Sequence, residues 1–347
     1  MLYIHQTSCI SPQQTFGDVH LEYLHTSVNN QLQVIEPAYK NIPPGVLRRM
    51  SKNVKIAIAA ALPLLQETKI DGIIIGTANG GMEESIKFLN QIVEYDEGLL
   101  TPGDFVQSTA NAVASQISLM TANKSYNTTH VHRGFSFENA LLDAAMLVKE
   151  NPGQNFLVGA VDVISAYNYT IDTLAGCYKK ESISNADLYN TNTKGAIAGE
   201  GAGMFVVNSI QSSSSAKIEM LEILHTQDEQ TVKQRLENIL SKLSSAGETI
   251  DLFISGEDGD KRSMKYYEAA ESLLHGDVII SRFKHMCGDY ATASAVALWL
   301  SYYILQSQSL PAHMIKKQTE EKKIRKIFIY NVYRQKQHSF MLVSGNQ

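Results

Sequence analysis

Short β-branched and apolar runs alternate along this chain with longer segments whose apolar residues recur every three or four positions, the pattern of α/β layering. The spacing predicts a helix over Val46–Gln66 and a strand over Ile70–Ile75, which runs on into Gly76-Thr77-Ala78-Asn79-Gly80-Gly81. Helices are expected at Met82–Val93, Val106–Thr121 and Phe135–Val148, and strands at Ser125–Val131, Phe156–Ala160 and Ala202–Val207. The rhythm then starts again. Lys217–Leu224, Leu252–Ser255 and Val278–Ile280 read as strands, Asp228–Leu243, Lys261–Leu274 and Tyr290–Leu305 as helices, and Ile327–Tyr333 with Phe340–Ser344 as a terminal hairpin. Between the two rounds lies Ser212-Ser213-Ser214-Ser215, a flexible connector by composition. Two similar α/β halves, 1–211 and 216–347, suggest an internal duplication.

Composition narrows the function classes. The 347 residues are 44% hydrophobic and 19% charged, as in a soluble globular protein with a sizeable core. A formal charge of −5 gives no electrostatic reason to expect nucleic acid, although local basic patches could receive an acidic carrier protein. No apolar run approaches the roughly 20 residues needed to cross a bilayer. The N-terminus lacks a charged region followed by an apolar stretch, so no membrane partner is expected and the cytoplasm is the expected compartment. Cys9, Cys177 and Cys287 are odd in number and far apart, which fits neither a disulfide framework nor a zinc site. Glu257-Asp258-Gly259-Asp260 lacks the ligand periodicity of a calcium loop and is expected to be a solvated turn. No metal or cofactor is expected.

Four segments, weak singly but ordered and spaced along nearly the whole chain, carry a resemblance. They are Gly76-Thr77-Ala78-Asn79-Gly80-Gly81-Met82-Glu83, the run Phe105–Ile117, Gly199-Glu200-Gly201-Ala202-Gly203-Met204-Phe205-Val206-Val207, and Lys284-His285-Met286-Cys287-Gly288-Asp289. Together they resemble the β-ketoacyl synthase family of the thiolase superfamily: its early glycine-rich turn, its acyl-pocket helix, its glycine-rich lead-in to the last strand of the first half, and its Lys-x-x-x-Gly-His motif. The resemblance implies a thiolase fold, two duplicated halves stacked as α-β-α-β-α layers, assembled as a dimer. It also implies where catalysis should sit. Such an enzyme needs a cysteine at the N-terminus of the buried helix of the first half, where helix dipole and backbone N–H groups favour the thiolate. Two further donors, usually histidines, promote decarboxylation of malonyl carrier protein.

This chain departs from that pattern at each chemical position. Placing Ser136 on the family's small residue puts Gly134 at the nucleophile, and no cysteine lies between Cys9 and Cys177. Ser255, after the strand Leu252–Ile254, stands where the first histidine belongs, with His225 and His275 too distant to substitute. Asp289 holds the second histidine position, and a carboxylate there opposes a developing anion. Lys284 matches the family lysine, unless it is merely a surface cation. Glu200 is expected to tie loops through hydrogen bonds, Cys287 to be a small core residue, and His130 and His132 to serve packing or an interface.

A synthase homologue without its cysteine resembles the chain length factor subunits that pair with active ketosynthases in type II polyketide and aryl polyene pathways. The implied partners are a cysteine-bearing β-ketoacyl synthase subunit, with a homodimer possible when the chain is alone, and an acyl carrier protein. Phe105, Gln107, Asn111, Ala112 and Ala114 would line the acyl tunnel. Tyr126, Thr128, Thr129 and Val131 would form an interface strand, because this β-forming edge carries little protective charge. Two alternatives stand beside this reading: an acyltransferase or decarboxylase that uses Ser136 with His132 as base, or no nucleophile, and a scaffold that binds acyl chains or carrier protein.

Overall fold

The computed structural model describes residues 1–320 and 322–345; of the C-terminal half expected from the sequence, residues 321, 346 and 347 lie outside the described residues. Its strands are Leu2–Ile10 (β1), Gln31–Leu32 (β2), Gly72–Gly76 (β3), Tyr126–His130 (β4), Phe156–Asp162 (β5), Ala198–Gly199 (β6), Gly201–Asn208 (β7), Ala216–His225 (β8), Leu252–Ser255 (β9), Ile279–Arg282 (β10), Ile315–Lys317 (β11), Lys326–Tyr333 (β12) and Gln337–Gly345 (β13).

Eleven of them hydrogen-bond in the order β11-β10-β9-β12-β13-β8-β1-β7-β5-β3-β4. Two five-strand blocks repeat within that order. In the first, β1-β7-β5-β3-β4, the pairs run antiparallel, antiparallel, parallel, parallel. In the second, β8-β13-β12-β9-β10, they run the same way and visit the chain in the same sequence. The blocks meet where Leu2, Tyr3 and Ile4 pair antiparallel with Ile218, Lys217 and Ala216.

Side-chain alternation sorts these strands into layers, because successive residues of a strand face opposite sides. Ile74, Phe156, Val158, Phe205 and Val207 join Leu252, Ile254, Ile327, Ile329, Met341 and Val343 in one central core. That core surrounds the helices Ser136–Glu150 and Ser294–Ser307. The alternate residues Ile73, Ile75, Leu157, Met204 and Val206 pack outward on helices Lys52–Glu67 and Ala112–Thr121. Phe253, Phe328, Tyr330, Phe340 and Leu342 pack outward on Glu229–Ser245 and Met264–Ser272. This is the five-layer α-β-α-β-α arrangement of the thiolase fold.

Several elements differ from the pattern-based expectation. Val46–Gln66 is two helices, because Pro43 and Pro44 start a short turn at Pro44–Leu47 and Ser51 caps a new helix at Lys52. Val106–Thr121 is also broken, into Pro102–Gln107 and Ala112–Thr121. The break delivers the Ser108 carbonyl onto Gly81, where a Cβ would stand 2.6 Å from it, and the Ser85 hydroxyl donates to the same carbonyl at 2.9 Å. Gly81 has φ +77°, so both its conformation and its contact require glycine. The serine run is not a loose connector. Ser215 is buried and donates through N–H (3.2 Å) and Oγ (2.9 Å) to the Ser212 carbonyl, closing a tight turn.

Candidate functional site

The strand β4 ends at His130, a 3₁₀ turn follows at Arg133–Phe135, and the buried helix begins at Ser136. The corner of this elbow is Arg133, with φ +51°, one residue before Gly134. A left-handed arginine costs about 1–2 kcal/mol and persists because its surroundings hold it. Gly134 is closed from the far side of the molecule. A Cβ there would stand 2.5 Å from Tyr333 Cβ and 2.7 Å from its ring, and the Gly134 amide already donates to Gln337 Oε1 at 2.9 Å.

Ser136 is buried. Its hydroxyl accepts from the His132 amide (2.8 Å) and donates to the Arg133 carbonyl (2.8 Å). The His132 imidazole instead meets the Asn139 amide at 3.2 Å and the edge of the Phe135 ring. Among the described residues no imidazole reaches Ser136, so the alternative of a Ser136–His132 pair lacks its base in this geometry.

Ser255 ends β9, fully buried, with the Glu257 amide 3.4 Å from its Oγ. The acidic stretch after it is not a solvated turn. Glu257, Asp258 and Asp260 are all buried because each has a partner. Glu257 pairs with Lys316 and Arg282, and Lys316 also meets Glu271 at 2.7 Å. Asp258 accepts from the Asp260 amide (2.9 Å), and Asp260 receives the Arg262 guanidinium (2.9 Å).

Lys284 is fully buried rather than a surface cation, and it pairs with Asp289. Burial alone would lower the lysine pKa, but the charges of Asp289 and Asp258 outweigh it and hold the ammonium above its ordinary value. Burial pushes Asp289 above the usual carboxylate range despite Lys284. Burial, then the Asp289 charge, pushes Asp258 up to about 7.

A third carboxyl, Glu138, sits three residues into the elbow helix with no exposure and no hydrogen-bond partner on either oxygen. The Ser294 hydroxyl is likewise unpartnered. Burial is the largest cause and pushes Glu138 up to about 7. One lysine therefore pairs with one carboxylate, while burial holds two further acids well above the usual carboxylate range. The arrangement holds charge in closed pairs and presents no imidazole donor pair at the elbow.

The backbone explains why the third and fourth motifs need glycine. A Cβ on Gly199 would stand 2.0 Å from the Cys287 carbonyl and 2.7 Å from Gly288 Cα. Asp289 N–H donates to Ile197 O (2.7 Å) and Gly199 N–H to Asp289 O (3.2 Å). Nearby, Asp162 at the end of β5 accepts from the Ala78 and Asn79 amides and the Thr77 and Thr292 hydroxyls at 2.8–3.0 Å, fixing the first motif. Glu200 ties loops as the sequence suggests: it accepts from Val34 N–H and Ile164 N–H at 2.8 Å each and from Lys52 at 2.6 Å.

Beside the fourth motif runs a one-way hydrogen-bond chain. His313 Nε2 donates to Leu21 O (2.7 Å), so its Nδ1 accepts from His285 Nε2 (2.8 Å), and His285 Nδ1 accepts from the Tyr189 hydroxyl (3.2 Å). Burial, with the nearby His313 and Arg282, lowers His285 to about 3. Cys9 is pushed up to about 12 by burial, and Cys287 higher still, so both are protonated core thiols. Cys177, half-buried, contacts the Arg334 guanidinium.

The expected tunnel residues lie along a partly exposed segment. Phe105 is exposed and tilts against Phe88 at 5.3 Å, and Gln107 Oε1 is buried without a partner. Asn111 accepts from Thr129 and donates to Ser115 at 2.7 Å each; Ala112 borders the outer core and Ala114 is inside it. The expected interface strand is shorter than Ser125–Val131: β4 ends at His130 and leaves Val131 just beyond it; the strand is an edge of the sheet, with Tyr126 and Val131 exposed and Thr128 and Thr129 half-buried. Asp143 receives both Tyr126 (2.9 Å) and His130 (2.8 Å). Sequence reasoning missed Arg133, Glu138, Asp258 and Tyr333. Only Glu138, a charge beside Phe137, Ala140 and Leu141 on the buried side of its helix, carried a signal along the chain.

Among the described residues no helix is long and apolar enough to cross a membrane, and no cluster of His, Cys, Asp and Glu forms a metal site. The sequence profile described as Beta-ketoacyl synthase, N-terminal domain, matches residues 25–234. A comparison with curated protein sequences finds no match. Solved structures share the fold at low identity. AntDE:AntF, a type II polyketide synthase acyl-carrier protein in complex with its ketosynthase bound to the hexaketide, is 13% identical with TM-score 0.78, covering 100% of this chain and 99% of the other. The ishigamide ketosynthase/chain length factor is 13% identical with TM-score 0.75 over 100% and 99%. The ketosynthase ApeO in complex with its chain length factor ApeC from Xenorhabdus doucetiae is 14% identical with TM-score 0.72 over 99% and 98%. With the profile spanning more than half of its length and thiolase-fold ketosynthases superposing on the whole, the chain belongs to the β-ketoacyl synthase family.

Proposed function

We propose that this chain is a non-catalytic, chain length factor-like subunit that completes a condensing enzyme by pairing with a cysteine-bearing β-ketoacyl synthase. The observation that carries the reading is the closed elbow: Arg133 at its corner, Gly134 filled against Tyr333, and no thiol within the segment. Ser255 and the Lys284–Asp289 pair, in place of two histidines, support it. The likeness to structures of ketosynthase/chain length factor pairs is consistent with it. On this reading the chain needs no cofactor, works in the cytoplasm, and serves type II polyketide, aryl polyene or fatty-acid-like elongation with an acyl carrier protein. Its halves divide at 1–211 and 216–347, β4 meets the partner, and the segment from Phe105 to Ala114 contributes to the far end of an acyl tunnel.

The test is mass spectrometry of the purified chain after incubation with acylated carrier protein, alone and with a cysteine-bearing synthase. The adduct should form on the synthase and not on this chain. A stoichiometric acyl adduct on this chain would end the reading.

A further inference from the structure

Across the sheet from the elbow helix, in the outer layer of the first half, the loop 37–42 lies against helix Lys52–Glu67 and leaves a cleft of about 410 Å³. Small-molecule sites span about 300–1,000 Å³. Phe16, Tyr39, Leu62 and Pro63, each half-buried, make its walls, and Ile42 and Ala59, both buried, lie beneath them.

Two costly backbone features border this cleft. Pro63 stands inside the helix without an N–H, which takes the helical donor away from the Ala59 carbonyl four residues back. Ala59 lines the cleft as well, so a carbonyl short of its donor stands at the cleft wall. Tyr39 holds φ +50°, a conformation that a bulky residue rarely adopts. Its hydroxyl donates to Glu36 Oε2 at 2.6 Å, which fixes the ring against the outer core. Backbone strain of this kind gathers where ligands are gripped.

Polar chemistry in the cleft is otherwise sparse. Apart from the Tyr39 hydroxyl, Lys40 and Asn41 bring the only polar side-chain groups that line it. Lys40 is exposed, and among the described residues no carboxylate pairs with it. Apolar walls that include two aromatic rings favour a flat apolar body. The Ala59 carbonyl accepts from a ligand N–H or O–H, and the Lys40 ammonium attracts an anion. The geometry points to a binding site for a small aromatic acid that carries one hydrogen-bond donor. The ring lies among Phe16, Tyr39 and Leu62, with its donor on the Ala59 carbonyl and its carboxylate at Lys40. This site is separate from the elbow and from the segment 105–114, and it is complete within one chain.

The test is isothermal titration calorimetry of the full chain with para-hydroxybenzoate, meta-hydroxybenzoate, benzoate and phenol. The better hydroxybenzoate should bind with Kd on the order of 0.1–1 mM. Benzoate, which lacks the donor, and phenol, which lacks the carboxylate, should each bind about threefold more weakly or worse. Pro63→Ala returns an N–H to the Ala59 carbonyl. It should raise the melting temperature and weaken the hydroxybenzoate about threefold, while leaving benzoate unchanged. Lys40→Met, at an exposed position, should bring the hydroxybenzoate down to the affinity of phenol. Leu62→Trp, checked for an unchanged melting temperature, should fill the cleft and abolish binding of all four compounds. Absence of binding to the wild-type chain would overturn the inference. So would binding that survives Lys40→Met and Leu62→Trp undiminished, or a loss in Pro63→Ala that benzoate shares equally.

Discussion

Restoring a cysteine at the elbow should damage the protein rather than reactivate it. A Cβ at position 134 would lie 2.5 Å from Tyr333 Cβ, and that atom is fixed to the backbone of β12, so rotating the tyrosine ring does not relieve the contact. Overpacking of this kind costs about 1–3 kcal/mol. Replacing glycine offsets about 0.4–1 kcal/mol of it by stiffening the unfolded chain. A net loss of about 1.3 kcal/mol follows. Unfolding entropy of about 2.1 cal/mol/K per residue over 347 residues gives about 0.7 kcal/mol/K, so Gly134→Cys should melt about 2 °C lower. The assay is thermal unfolding of Gly134→Cys, Tyr333→Gly and the double variant, with iodoacetamide labelling of the new thiol. The double variant should melt above the sum of the two single losses, because removing the Tyr333 Cβ and ring together makes the room that the new side chain lacks. A Gly134→Cys protein that melts like wild type and labels as fast as a free thiol would refute the reasoning.

Lys284→Met leaves Asp289 and Asp258 buried without their cation and should cost about 3–5 kcal/mol in urea unfolding. Adding Asp289→Leu should recover a large part of that, whereas strictly additive losses would show that the pair is not coupled. Glu138, held at about 7 against an ordinary 4.5, binds its proton more tightly when folded. Its contribution is therefore full below pH 4.5 and lost as pH rises through 7, about 3 kcal/mol in all. Glu138→Gln should remove that decline, and an unchanged pH profile would count against a buried carboxyl. His285, lowered to about 3, works the other way: stability should fall as pH drops from 6.5 towards 3. Because the two windows overlap with opposite sign, His285→Gln should leave the declining slope of the raised carboxyls, Glu138 and Asp258 among them, unopposed by His285. If acid sensitivity below pH 6 persists undiminished in that variant, the His285–His313 chain is not its source.

Much of the fold was legible along the chain because periodicity reports burial directly. Leu252–Ser255 was read with its observed bounds, and the terminal hairpin was read as a hairpin. Boundaries failed where one residue overrode the pattern, as with Ser51 capping a new helix inside an apolar run, or where a break serves a distant contact, as with Ser108 against Gly81. The absence of a cysteine in the elbow segment was plain in sequence. What fills the site was not. Tyr333 reaches Gly134 from 199 positions away, and no local spacing encodes that contact. The acidic stretch Glu257–Asp260 was misjudged for a similar reason: Lys316 and Arg282, which make its burial tolerable, arrive from other elements.

The most direct test of the central claim is turnover of malonyl carrier protein by three preparations: this chain alone, a cysteine-bearing synthase alone, and the two together. The account predicts no decarboxylation or condensation by this chain alone, with Cys9, Cys177 and Cys287 intact or all replaced by alanine, and a pair whose activity vanishes when the synthase cysteine is replaced. Condensation by this chain alone that survives replacement of all three cysteines would contradict it.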